Sequence, residues 1–209
     1  VWAEENTRES IYEAFRRKET FGTSGPRIKV RFFAGYNLES LKLDDLSLIQ
    51  DAYANNTPMG GTIIQEKNNS PRFLVWAISD PLGAPLQRAQ IIKGWLEDGE
   101  HREKVFDVAC SDGLSVDPIT HRCPDNNAKV NLDDCSISSD KGDSEIKTFW
   151  KDPEFRQDQD AFYYSRVLEN PTCRWSTWDA MRDNESPRSD IPATIQERAW
   201  SSPIWYTKQ

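Results

Sequence analysis

The sequence predicts a mainly β fold: an antiparallel immunoglobulin-like β-sandwich preceded by an N-terminal helix and carrying one short inserted helix. Three observations carry that prediction. Short segments alternate apolar and polar residues, as in "RIKVRFFAGY", which is the period of a half-buried strand. Turn signals such as "DPLGAP", "EDGE" and "KDPEF" separate them at close intervals. Eight Trp, nine Phe and six Tyr in 209 residues supply the large side chains that fill the space between two sheets.

The elements follow in order. In "ENTRES", Asn6 can cap a helix while Glu9 reaches back to the cap amide, so helix is predicted from Thr7 to about Lys18. Ile11, Ala14 and Phe15 then share one face. Gly22, Gly25 and Pro26 in "FGTSGP" end it. The strand that follows points Ile28, Val30 and Phe32 inward and leaves Lys29 and Arg31 on a wet face. "LDDLSLIQDAYANN" reads as the short inserted helix, capped by Asp44, with Leu48, Ile49 and Ala52 inward. "PMGGTII" returns the chain to extended structure. Strands are then expected at "RFLVWAIS", "QRAQIIKGWLE", "EKVFDVAC", "EIKTFW", "AFYYSRVLE" and "SPIWYT". "RDNESPRSDIPAT" reads as a long surface loop, and Trp175 and Trp178 fall in a loop or short helix. Tyr163 either opens its strand as a tyrosine corner bonded back to the preceding loop or is a plain core tyrosine.

Charge and hydropathy narrow the function classes. A net charge of −8 without a concentrated basic face argues against nucleic acid. The mean hydropathy of −0.75 and the lack of a long apolar run argue against a membrane span. The four cysteines, Cys110, Cys123, Cys135 and Cys173, are even in number with no CxxC pair, which suggests two disulfides and an oxidising compartment such as a bacterial periplasm. Four cysteines allow three connectivities; Cys123–Cys135 with Cys110–Cys173 is favoured, and four reduced buried thiols are the alternative.

Taken together, "VWAEENTRESIYEAFRRKETFGTSGPRIKVRFFAGY", "PMGG", "IIKGWLEDGEHREKVFDVACSD", "DPEFRQDQDAFYYSRVLENPTCRWSTWDA" and "PATIQERAWSSPIWYT" resemble the C-terminal part of a bacterial family related to the polymerase-and-histidinol-phosphatase (PHP) metallohydrolases, catalogued as domain of unknown function 3604. The resemblance implies a longer protein. Its upstream PHP-like barrel would hold divalent metal on His, Asp and Glu side chains and activate water for hydrolysis. Residues 1–25 would be the last helix and loop of that barrel domain, and 26–209 an accessory β-sandwich whose partner is the barrel itself. The apolar side of the first helix would then need a neighbour. No metal ligand carries over to this chain, because its two histidines, His101 and His121, sit in no ligand motif.

Other site chemistry is weighed on the same residues. His121, Cys123 and Cys135 are zinc-type donors without a clear fourth ligand. Asp152, Glu154, Asp158 and Asp160 offer hard oxygens without the spacing of a calcium loop. Trp175 and Trp178 of "CRWSTWD", with Trp200 and Trp205, could form a sugar-stacking platform or serve as core or domain-interface packing groups. "GTSGP" lies between helix and strand, the wrong order for a nucleophile elbow, and no catalytic residue is assigned. In "FGTSGPR", Thr23, Ser24 and Arg27 could face an anionic substrate of the longer protein, or the glycines make a turn and Arg27 pairs with an interface carboxylate. The expectation is a non-catalytic sandwich segment of a PHP-like hydrolase; the alternative is a free-standing carbohydrate- or partner-binding module.

Overall fold

The computed structural model describes residues 1–66 and 69–208; Lys67, Asn68 and Gln209 lie outside the described residues. In chain order the first half holds α1 (Arg8–Arg16), β1 (Phe21–Thr23), β2 (Lys29–Gly35), a 3-10 turn (Asn37–Ser40), α2 (Leu48–Asn55), β3 (Thr57–Pro58), β4 (Thr62–Ile64) and β5 (Arg72–Ile78). The long strands β6 (Leu86–Glu97), β7 (Glu100–Cys110), β8 (Glu145–Lys151) and β9 (Ala161–Glu169) follow. The chain closes with β10 (Thr172–Cys173), α3 (Trp175–Arg182), β11 (Thr194–Ile195), β12 (Arg198–Ser201) and β13 (Ile204–Thr207).

Two sheets face each other. In the larger, β9 is central: β6 and then β7 lie on one side, and β12 and β13 pair end to end along the other. Beyond them sit β1 on β12 and β4 on β13. The smaller sheet runs β3-β2-β5-β8. The β13–β4 pair is parallel, and the other strand pairs among the described residues are antiparallel. Alternation explains the core. Val30 and Phe32 of β2, and Phe73 and Val75 of β5, meet Ile91, Tyr163 and Val167 of the larger sheet, all at 0% exposure. The Phe73 and Tyr163 rings lie 4.5 Å apart across the gap. Each such side chain removed from water contributes roughly 1.5–3 kcal/mol.

The outer face of the smaller sheet is less wet than the sequence predicts. Phe33 and Leu74 are buried there beneath Leu38, Leu48 and Ala52, so α2 and the 3-10 turn roof the sheet. Arg31 lies 3.6 Å from the Trp2 ring centre and donates to the Tyr53 hydroxyl at 2.8 Å. A cation flanked by aromatic faces keeps its charge while shedding water. Residues 1–25 join the same body: β1 is a strand of the larger sheet, Trp2 and Phe21 pack on the core, and the Trp2 indole donates to the Val30 carbonyl at 2.7 Å.

Local corrections have local causes. Thr7, not Asn6, caps α1, its hydroxyl accepting the Ser10 amide. The helix stops at Arg16, ahead of Lys18 in the left-handed region at φ 58°. Ser47, not Asp44, occupies the cap position of α2. Of the loop or short helix expected around Trp175 and Trp178, the chain forms the short helix, α3.

The cysteines are all oxidised, but the favoured pairing is overturned: the bridges are Cys110–Cys123 and Cys135–Cys173. Asp107 explains the first. It is 2% exposed, and it accepts the Cys123 amide at 2.7 Å and the Gln90 amide at 2.6 Å. Its backbone amide donates to the His121 carbonyl at 3.0 Å, so the loop folds back onto the end of β7 and sets Cys123 against Cys110. Cys135 is left to tie the loop to β10.

Tyr163 does bond back to the preceding loop. Its hydroxyl donates to the Asp152 carboxylate at 2.8 Å, and Lys93 donates to the same oxygen at 2.6 Å. All three are buried. Burial and the adjacent carboxylate push the Tyr163 hydroxyl far above its ordinary range, so it stays a donor.

Candidate functional site

The solvent face of the larger sheet carries an aromatic groove built by register. Across the strands, Glu103 of β7 opposes Gly94 of β6, Gly94 opposes Phe162 of β9, Phe162 opposes Trp205 of β13, and Trp205 lies beside Thr62 of β4. All point away from the core because Lys93, Trp95, Tyr163 and Tyr206, their chain neighbours, point inward. The Phe162 ring lies directly over Gly94, where an added β-carbon would stand 2.2 Å from its Cζ. A larger residue at 94 would therefore push the Phe162 ring aside, and no special backbone angle is involved. The Phe162 and Trp205 ring centres are 5.3 Å apart, and Tyr164 extends the row, stacked on Phe162 at 6.4 Å.

The depression above these rings has a volume of about 570 Å³, with Leu96, His101, Arg102 and Asp160 at its edge. Trp205 is 47% exposed and Leu96 66%. Apolar rings rimmed by carboxylates, an imidazole and a guanidinium suit a ligand with both apolar faces and polar groups.

The residues singled out from the sequence scatter. Trp205 lines the groove, but Trp200 sits on β12 opposite Arg166 and does not. Trp175 and Trp178 lie on α3. Thr23, Ser24 and Arg27 are all exposed on the segment following α1. The Ser24 hydroxyl donates to Glu197 and accepts the Arg198 amide at 2.9 Å, while the Arg27 amide donates to Asp80 at 2.6 Å.

His121, Cys123 and Cys135 do not form a zinc site, since both sulfurs are in disulfides and the His121 ring packs on Phe106 at 5.2 Å. The four carboxylates weighed for calcium have separate partners: Asp152 binds Lys93, Glu154 binds Lys104, Asp158 binds Arg156, and Asp160 accepts the Lys208 amide. Among the described residues no group of three or more His, Cys, Asp or Glu side chains is placed to hold a metal ion. No described helix is long and apolar enough to cross a membrane.

Sequence reasoning missed Phe162, Gly94 and Glu103. The available signal was Gly94 inside a strand pattern, which often marks close approach of another group.

Fold and surface together define a mainly β sandwich with an exposed aromatic face. The model of the family described as "Protein of unknown function (DUF3604)" matches residues 1–208, and the chain belongs to that family. No curated protein and no solved structure matches it.

Proposed function

We propose that this chain is the non-catalytic C-terminal β-sandwich of a PHP-like metal-dependent hydrolase, packing on a catalytic barrel that precedes it and shaping one wall of its entrance. The observation that carries the reading is the outward side of α1. Ala14 is buried, whereas Tyr12 and Phe15, three residues apart and adjacent on the helix surface, are 60% and 58% exposed. A rigid helix that offers a paired aromatic surface at the N-terminal side of the sandwich suits docking of a preceding domain. The divalent metal would belong to that barrel, where it would activate water. Thr23, Ser24 and Arg27, exposed just after α1, would line the entrance, with the Arg27 guanidinium as the group for an anionic substrate. The two disulfides favour an extracytoplasmic setting, the periplasm for a bacterial protein.

The test is a Tyr12→Ser/Phe15→Ser double variant of the whole gene product. Faster proteolytic separation of the two domains, with unfolding of the sandwich itself unaltered, is the expected result. Unchanged cleavage kinetics would remove the docking role of α1.

The aromatic groove favours a second reading, a carbohydrate-binding module. Tryptophan fluorescence across a glycan panel tests it: a ligand that quenches the native chain but not Trp205→Ala supports it, and a silent panel ends it.

A further inference from the structure

Lys93 and Asp152 are placed as reactants as well as ion-pair partners. The Lys93 side chain is 4% exposed and that of Asp152 0%, and Lys93 Nζ lies 2.6 Å from Asp152 Oδ2. Three further contacts surround the pair. The Glu154 amide donates to Asp152 Oδ1 at 2.8 Å, and the Tyr163 hydroxyl donates to Oδ2 at 2.8 Å. Lys93 Nζ also donates to the Glu154 carbonyl at 2.8 Å. The Trp95 and Tyr163 ring centres stand 5.4 and 5.9 Å from Nζ, so the surroundings are aromatic and dry. Lys93 lies on β6 of the larger sheet, and Asp152 directly follows β8 of the smaller one.

The residue after Asp152 removes the usual competitor. An aspartate side chain is ordinarily attacked by the backbone nitrogen of the next residue, but Pro153 has no N–H. The amine held against this carboxyl group is that of Lys93. A desolvated lysine amine is a nucleophile, and fixed contact replaces the encounter that two free groups would need.

We propose that Lys93 and Asp152 condense to an intramolecular side-chain amide that ties the two sheets together. One proton passes from the Nζ ammonium to Oδ2 along their hydrogen bond, leaving a neutral amine and a neutral acid, the form that burial favours. The Nζ lone pair attacks Cγ, and the charge that develops on Oδ1 is held by the Glu154 amide. A second Nζ proton moves to Oδ2, the Cγ–Oδ2 bond breaks, and water leaves while the Tyr163 hydroxyl donates to the departing oxygen. One ammonium and one carboxylate become one amide and one water, with no oxidant or co-reactant. The donors on the carboxylate also favour its charged form, so the ion pair is the resting state and condensation follows folding slowly.

The test is to age the purified chain at neutral pH, folded and in urea above its unfolding transition, and to follow intact mass and peptide maps with time. A species lighter by one water is expected in the folded sample alone, with Lys93 and Asp152 recovered in one branched peptide. That species should unfold at higher urea than the unlinked chain. Lys93→Arg should abolish it, and folded Tyr163→Phe should form it about a hundredfold more slowly. Asp98–Gly99 and Asp112–Gly113 can also lose water, by cyclising onto the glycine nitrogen. Hydroxylamine opens that product and leaves a side-chain amide intact. A mass that never falls in the folded chain, a lighter species that hydroxylamine removes, or one that persists in Lys93→Arg would overturn the linkage. An unchanged rate in folded Tyr163→Phe would overturn the role of Tyr163. If that variant does not fold, the folded and unfolded samples of the native chain decide alone.

Discussion

Phe162 covers Gly94 on the solvent face of the larger sheet, at a separation that leaves no room for a β-carbon. The contact joins two strands, and the Trp205 ring lies beside Phe162, tilted 51° to it. Gly94→Ala is expected to tilt Phe162 out of the row and lower stability by about 1–3 kcal/mol, as overpacking does. Urea unfolding measures the loss, and any glycan response should weaken with it. A Gly94→Ala chain as stable as the parent, with Phe162 unmoved, would show that the close packing is not required.

Lys93 and Asp152 form a buried ion pair at 2.6 Å, completed by the Tyr163 hydroxyl and the Glu154 amide and carbonyl. Removing one partner leaves a charge buried without compensation. Lys93→Met alone should cost about 3–5 kcal/mol, whereas replacing Lys93 and Asp152 together by apolar groups should recover most of it. Tyr163→Phe removes one hydrogen bond to a charged acceptor and should cost about 1.5–3 kcal/mol. Additive single and double effects in urea unfolding would contradict the pairing.

The disulfides give a mapping test with a sharp alternative. Non-reducing peptide mass spectrometry should recover Cys110 linked to Cys123 and Cys135 linked to Cys173. A Cys123–Cys135 peptide would mean that Asp107 does not hold the loop as described. Reduction should lower stability by roughly 3–4 kcal/mol for each bridge, with the larger effect from Cys135–Cys173, which closes the longer loop.

Glu169 makes stability depend on pH in an unusual direction. Burial, with Asp80 and Glu197 nearby, pushes its carboxyl from an ordinary value of 4.5 up to about 7. The folded chain therefore holds a proton that the unfolded chain has released. Stability from this group is present below the unfolded value and falls as pH rises from 4.5 to about 7. Glu169→Gln should flatten that part of the profile and be the more stable chain at alkaline pH. Superimposable profiles for the two chains would refute the shift.

What the sequence revealed depended on range. β5, β6, β8 and β9 were legible nearly to the residue, because apolar and aromatic runs bounded by turn signals need no tertiary help. Short β1 and β12 escaped notice: "FGT" and "RAWS" have too few residues to show a period, and pairing with each other and of β12 with β9 makes them strands. Phe33 was assigned no burial because the roof that covers it, α2 with Leu38, comes from a different part of the chain. The disulfide connectivity failed for a similar reason, since it turns on Asp107 accepting an amide sixteen residues away. Trp205 could be picked out as a surface aromatic, but its neighbours Phe162 and Gly94 are set by register across β13, β9 and β6. The carboxylates around Glu169 come from three separate segments and leave no local pattern at all.

The most direct measurement is the intact mass and metal content of the endogenous gene product, set beside the 24.1 kDa chain alone. A larger product, carrying His, Asp and Glu ligands upstream and stoichiometric divalent ions that the isolated chain does not bind, is the expected result. Stoichiometric, hydrolytically competent metal on the isolated chain would contradict it.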